Sequence, residues 1–187
     1  MNATKNIVLG VMGKVGSGKT SLIKIIEEKY KIKTFIADDV FKEMKENGEF
    51  DEDIDLNSRL FLDTKLQERI RKEYHPKVFN KIKKEIEILK DNGKEYDFIV
   101  IETALPSDLF LSICDKTIYI ENDEKVKQMR LMNDRNYSIS KIKNILESQE
   151  YYEKFYKKAD YKIINNNDII NLKVEVGFIL DEIHSTK

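Results

Sequence analysis

Eight consecutive residues, Gly13-Lys14-Val15-Gly16-Ser17-Gly18-Lys19-Thr20, match the pattern G-x-x-x-x-G-K-[ST]. Glycines at these spacings let the backbone turn several N–H groups inward, with no Cβ in the way, to form a nest for anionic oxygens. A helix starting at the end of the loop adds unpaired N–H groups and the positive end of its dipole. In that setting Lys19 reaches the β- and γ-phosphates of a nucleoside triphosphate and the Thr20 hydroxyl ligates Mg²⁺. Ser21 extends the phosphate-facing set into the first helical turn. The chemistry expected of this stretch is the binding of ATP with Mg²⁺.

Phosphoryl transfer asks a protein mainly for positioning and for charge stabilisation. Asp38-Asp39 follows a short apolar run, and Asp39 is the expected catalytic carboxylate, which accepts the proton of an acceptor hydroxyl or orders the magnesium shell. A helix is expected to start at these two acids, with Asp as its N-cap. Glu102 closes another apolar run and either orders a magnesium-bound water or an acceptor, or caps the next turn. Arginine is scarce beside lysine, with Arg59, Arg69, Arg71, Arg130 and Arg135 the full set. Arg130 and Arg135 flank a break in a long helical stretch, where a lid could bring bidentate phosphate contacts over the nucleotide. His75, before Pro76, either touches an acceptor phosphate or occupies the turn.

The surrounding pattern supplies elements to hold these groups. Apolar runs at residues 6–12, 33–37, 97–102, 116–121 and 161–165 predict five strands. The run at 97–102 is nearly continuous, as in a strand buried on both faces of a parallel sheet. Leu22, Ile25 and Ile26 repeat at helical spacing directly after the glycine loop. Further helices are expected near 39–46, 60–71, 76–92, 123–158 (broken near 133–137) and 168–184. Residues 46–53 read as an acidic solvated linker, and His75-Pro76 as a chain break. Strands alternating with helices argue for a doubly wound α/β fold with ligands at the carboxyl ends of the strands. The glycine loop, Asp38-Asp39 and Glu102 all lie at such ends.

A chain of 187 residues suits one domain, here spanning 1–187. Its formal net charge of −1 gives no bulk attraction to nucleic acid or anionic lipid, so the expected partners are small molecules, with no nucleic acid and no membrane. The lone Cys114 rules out an internal disulfide and points to a reducing, cytoplasmic setting. No apolar run reaches transmembrane length. A monomer or weak homo-oligomer is the default expectation.

Several stretches together resemble dephospho-coenzyme A kinase: the Gly13–Thr20 loop, Phe35-Ile-Ala-Asp-Asp-Val40, Tyr74-His-Pro-Lys-Val78, Lys127-Gln-Met-Arg-Leu131, Asn144-Ile-Leu-Glu-Ser-Gln149 and Ala159-Asp-Tyr-Lys-Ile-Ile-Asn-Asn166. The likeness, as of a divergent member, runs over nearly the whole chain. It implies a three-layer P-loop kinase fold, with a five-stranded parallel sheet, helices on both faces and a helical lid at about 130–150. It also implies an acceptor-binding helical region at about 40–92. The reaction implied is transfer of the ATP γ-phosphate to the ribose 3′-hydroxyl of dephospho-CoA. Asp39 falls on the family's catalytic aspartate, Arg130 on its arginine before the lid, and His75 on a position tied to the acceptor site. Asn165 and Asn166 fall near the adenine-binding turn.

Three departures lie on the acceptor side. Ala37-Asp38-Asp39 keeps only the last acid of the family's Asp-Ala-Asp. Thr103-Ala-Leu-Pro-Ser107 replaces a Pro-Leu-Leu-Phe-Glu segment, and Asp134-Arg135 inverts an Arg-Asp pair. They leave two alternatives open: another nucleoside or nucleotide kinase, or a non-catalytic nucleotide-binding module.

Overall fold

The computed structural model describes residues 6–50 and 64–185. Arg59, the first residues of the helix expected from 60 and the end of the acidic linker lie outside them. Five parallel strands, β1 (Ile7–Met12), β2 (Ile32–Ile36), β3 (Phe98–Thr103), β4 (Lys116–Glu121) and β5 (Tyr161–Ile164), stand in the order β2-β3-β1-β4-β5. The chain passes over β3 to build β2 and over β1 to build β4. The order therefore reverses at β1, and its carboxyl end is where such sheets take ligands. Parallel register sets Glu102 beside Val11 and Thr103 beside Met12, at the threshold of the glycine loop.

Alternation along the strands divides the core. Ile7, Leu9, Val11, Phe98, Val100, Ile118 and Ile163 face α1 (Lys19–Lys29) and α8 (Ile169–Ser185), which return Leu22, Ile26, Leu172, Val176 and Leu180. Val8, Met12, Phe35, Ile99, Ile101 and Tyr119 face the other way. There they meet α2 (Ala37–Glu46), α4 (His75–Asp91), α5 (Asp108–Ile113) and the 3₁₀ stretch Glu150–Lys158, through Phe41, Met44, Phe79, Ile82, Phe110 and Phe155. Burying apolar faces on both sides is what holds a parallel sheet together. A third, small cluster joins α6 (Glu124–Arg135) to α7 (Ile139–Ser148) through Leu131, Ile142 and Leu146, with Val15 of the glycine loop and Tyr137 packed on it.

In the middle of β1, a Cβ on Gly10 would come within 2.6 Å of Phe110 Cζ and 2.7 Å of Cys114 Sγ. Phe110 is fully buried and has nowhere to retreat. Gly10→Ala is expected to destabilise the fold by about 1–3 kcal/mol through overpacking, read as a lower urea midpoint at unchanged slope.

The structure corrects three local expectations. His75-Pro76 does not break the chain: α3 (Thr64–Arg69) continues through a π-helical turn, Ile70–Tyr74, straight into α4. The widened turn lets the His75 N–H bond Ile70 O, five residues back, just before a proline that has no N–H to give. Asp38 and Asp39 do not cap α2, because the helix already starts at Ala37 without a side-chain cap and both acids lie within its first turn. There they still suit the helix dipole. The third is an unforeseen element: α5 has six residues, too few for a helical period to register, and Ser107 starts it by accepting from Phe110 N at 3.1 Å. The break between α6 and α7 is present, made by Asn136 in the left-handed region at φ 52°.

Candidate active site

The glycine loop leaves β1 and enters α1 with the geometry that its residue types predict. Gly16 (φ 77°) and Gly18 (φ 104°) occupy left-handed backbone that other L-residues rarely adopt. A Cβ on Gly13 would collide with the Ile120 carbonyl of β4. Three side chains from distant parts of the chain hold the loop open. Asn122 Nδ2 donates to Gly16 O at 3.0 Å, Asn165 Nδ2 to Ser17 O at 2.8 Å, and Val15 N donates to Gln149 Oε1 at 3.0 Å. All three of these side chains are buried, where an unpaired amide would be costly, so the loop's shape is over-determined.

Lys19 is 8% exposed. Its ammonium donates to Gly13 O at 3.0 Å and Lys14 O at 3.4 Å, and it pairs with Glu102 Oε1 at 3.4 Å. The cation therefore spans the mouth of the loop, from the end of β1 to the end of β3. Asp38 is exposed at the edge of a cleft. Partial desolvation holds its carboxyl above the ordinary range and the neighbouring Asp39 adds to this, while Lys19 and Arg135 pull the other way. Glu102 is raised by burial as well, with Lys19 opposing and Asp38 and Asp39 reinforcing. Acidic groups crowded around one lysine are a place where negative charge is already hard to hold.

Two openings meet at the loop. A cleft of about 650 Å³ is bounded by Asp38, Asp39, Arg71, Leu105, Arg135 and Gln149 among others. A groove of about 330 Å³ runs past Gly16, Gly18, Thr20, Ser21, Arg130 and Asn165. Arg135 borders both. The expected lid arginine thus stands between the two volumes, and Arg130 looks onto the groove alone, with Nη2 donating to Asn165 O at 3.2 Å.

The other residues singled out from the sequence fall as follows. Lys14 turns its side chain away to an ion pair with Glu153. Thr20 is exposed at the head of α1, beside the groove. Asn165 braces the loop and borders the groove, whereas the Asn166 side chain is committed to accepting from Asp123 N at 2.8 Å, at the start of α6. His75 does not line the main cleft. It stands in a side recess of about 60 Å³ with Asp38, Phe41, Val78, Phe79 and Thr103. Among the described residues, no cluster of three or more His, Cys, Asp or Glu could hold a metal ion by itself. The one exposed threonine hydroxyl at the loop's end instead fits Mg²⁺, which prefers few protein ligands together with phosphate oxygens and water.

Burial, followed by the nearby Arg71 charge, lowers His75 to about 4 from its ordinary 6.5. Its folded pKa lies below its unfolded one, so the unfolded chain takes up the proton first. The stability that neutral His75 gives is whole above pH 6.5 and is lost as pH falls toward 4. Wild type should lose up to about 3 kcal/mol more than His75→Leu across that window, measured by urea unfolding at several pH values.

Three contributors escaped the sequence reading. Asn122 and Gln149 brace the loop, and Arg71, presented by the π-helical turn, reaches the cleft with its guanidinium 4.7 Å from the Tyr151 ring centre. The only available signal for Gln149 was its place in the Asn144–Gln149 stretch. Nothing in the sequence marks Asn122 beyond its position just past β4.

Comparison with known proteins gives a consistent outcome. The family model for dephospho-CoA kinase matches residues 42–171, well over half of the chain. A dephospho-CoA kinase of Borrelia garinii is 31% identical over 205 residues, covering 95% of this chain and 94% of that protein. One from Fusobacterium nucleatum is 27% identical, covering 90% and 95%. A cytidylate kinase of Sulfurisphaera tokodaii is also similar, 26% identical over 79% of this chain and 74% of its own length. Among solved structures, the Campylobacter jejuni dephospho-CoA kinase superposes with TM-score 0.56 at 23% identity, covering 96% and 98%. The Aquifex aeolicus shikimate kinase does so with TM-score 0.54 at 15% identity, covering 97% and 100%. These likenesses establish the P-loop kinase fold.

Proposed function

This chain belongs to the dephospho-CoA kinase family, and from that premise we propose that it moves the γ-phosphate of ATP to the ribose 3′-hydroxyl of dephospho-CoA, giving CoA. The observation that carries the reading is Lys19 held at the mouth of a pre-formed glycine loop, with an acid-lined cleft on one side and a nucleotide-sized groove on the other. In this reading the ATP phosphates take the place of the Gly13 and Lys14 carbonyls as partners of Lys19. Nucleoside and ribose lie along the groove by Thr20, Ser21 and Asn165, and Arg130 faces the phosphates from α6.

The acceptor enters the larger cleft. Asp39 takes the proton of its hydroxyl, and Asp38 orients the acceptor beside it. Arg135, bordering both openings, neutralises the group in transit. His75 is neutral at pH 7 and shapes the recess beside the acceptor through its ring. Thr20 would hold Mg²⁺ together with phosphate oxygens, Glu102 would orient its water, and the ion would supply charge neutralisation between the phosphates. The remaining work falls to positioning, and the braced loop supports that.

No helix among the described residues is long and apolar enough to cross a membrane, and a cytoplasmic enzyme acting on small molecules as a monomer or weak homo-oligomer fits the chain. A nucleoside monophosphate acceptor is the second reading, favoured by the cytidylate kinase likeness and by the divergent residues on the acceptor side. A coupled ADP-release assay separates the two, with dephospho-CoA beside a panel of nucleoside monophosphates. Turnover confined to dephospho-CoA supports the first. Turnover confined to a monophosphate replaces it with the second.

A further inference from the structure

On the far side of Lys14 the protein has a separate cavity of about 520 Å³, walled by the end of β4, the first turn of α6 and the 3₁₀ stretch. It shares no lining residue with the cleft or the groove. Four lysines border it, Lys14, Lys127, Lys154 and Lys157, against two carboxylates, Glu121 and Glu153, with Tyr119 and Tyr156 forming an edge-to-face wall, ring centres 5.3 Å apart. The proposed transfer uses none of these side chains.

Lys127 is the unusual member. It is 9% exposed, and among the described residues its ammonium has no hydrogen-bond or ion-pair partner. Its stem is packed into the protein and its ammonium opens into the cavity, where it is only partly desolvated. Here burial disfavours the charged form and the neighbouring Lys14 charge adds to the penalty, with Glu121, Glu153 and Glu124 offsetting only part of it. Glu153 is already engaged by Lys14. Lys154 stacks over the Tyr151 ring at 3.9 Å. With its stem covered, Lys127 opens its unbonded ammonium into a cavity that the Lys14 side chain also lines, a pair of cations on one wall with room between them for an anion.

We propose that this cavity is a second anion site, in which Lys127 and Lys14 hold the phosphate group of a small molecule or free phosphate. A phosphate between the two ammoniums would relieve their repulsion and give Lys127 the charge-assisted partner that it lacks. Lysine suits this role as a point charge with rotatable donors, and the volume admits a small phosphorylated metabolite rather than a bare ion alone. Because Lys14 also belongs to the glycine loop, an occupant here touches the nucleotide site from behind. The proposal stands independently of which acceptor the cleft takes.

The test keeps the glycine loop filled. Full-length protein labelled at lysine Cε is saturated with a non-hydrolysable MgATP analogue, and inorganic phosphate or glycerol 3-phosphate is titrated in while the Lys127 signal, assigned through Lys127→Arg, is followed by NMR. Saturable movement of that signal, together with calorimetric affinity about tenfold weaker in Lys127→Gln and retained in Lys127→Arg, is expected. A response only to glycerol 3-phosphate identifies a phosphomonoester ligand, and a response to both identifies free phosphate as sufficient. A Lys127 signal that stays still or drifts linearly with both ligands overturns the proposal. So does undiminished affinity in a folded Lys127→Gln.

Discussion

Lys19→Ala is expected to lower kcat/KM for ATP by about 10³-fold, a loss of about 4 kcal/mol in transition-state stabilisation. The Lys19 ammonium donates to both the Gly13 and Lys14 carbonyls and pairs with Glu102. Charge spreading over the transferring phosphoryl group would draw on the same ammonium, in a site where only 8% of the residue meets solvent and its field is weakly screened. The substitution also strips Glu102 of its cation, and that carboxyl, already raised by burial, should rise further. Lys19→Met keeps the stem and separates the charge from its packing. If Lys19→Met is folded and retains kcat/KM within tenfold of wild type, Lys19 is a structural strap across the loop and no more.

Asp39→Asn is expected to lower kcat by about 10³-fold while the affinity for ATP changes less than about threefold, since a positioned base contributes 10²–10⁴ and touches the acceptor rather than the donor. The neighbouring acid makes this comparison informative. Both acids border the main cleft, but Asp38 feels Lys19 and Arg135 and also borders the His75 recess, whereas Asp39 also borders an outer groove with Lys81 and Glu85. Measured side by side, Asp38→Asn should raise KM for the acceptor more than it lowers kcat. Unchanged kcat in Asp39→Asn together with a collapse in Asp38→Asn would move the proton to Asp38.

The readable parts of the site are those whose physics is local. The loop's glycines encode their own backbone shape, and the apolar runs before Gly13, Asp38 and Thr103 mark strand ends that a parallel sheet must bring to one edge. The family likeness could be read from ordered short stretches for the same reason, and the matched family model bears it out. The unreadable parts depend on contacts across the chain. Asn122 and Gln149 reach the loop across separations of 106 and 134 residues, and no spacing rule reports such a contact. Asn165 is an instance between the two: its position was legible, its bond to Ser17 O was not. The π-helical turn before Pro76 escaped because a proline normally signals a boundary, and only the structure shows the His75 N–H finding Ile70 O instead. Lys127 reads as any surface lysine of a charged helix, and only the structure sets it at one cavity with the end of β4 and the 3₁₀ stretch.

The central claim, transfer of the ATP γ-phosphate to the 3′-hydroxyl of dephospho-CoA, is tested most directly by ³¹P NMR of a reaction holding the protein, MgATP and dephospho-CoA. The account predicts that a 3′-phosphomonoester resonance of CoA grows in step with ADP, one for one. ATP bound at the loop with no such resonance, or γ-phosphate appearing only in a nucleoside diphosphate when a monophosphate is supplied, would contradict it.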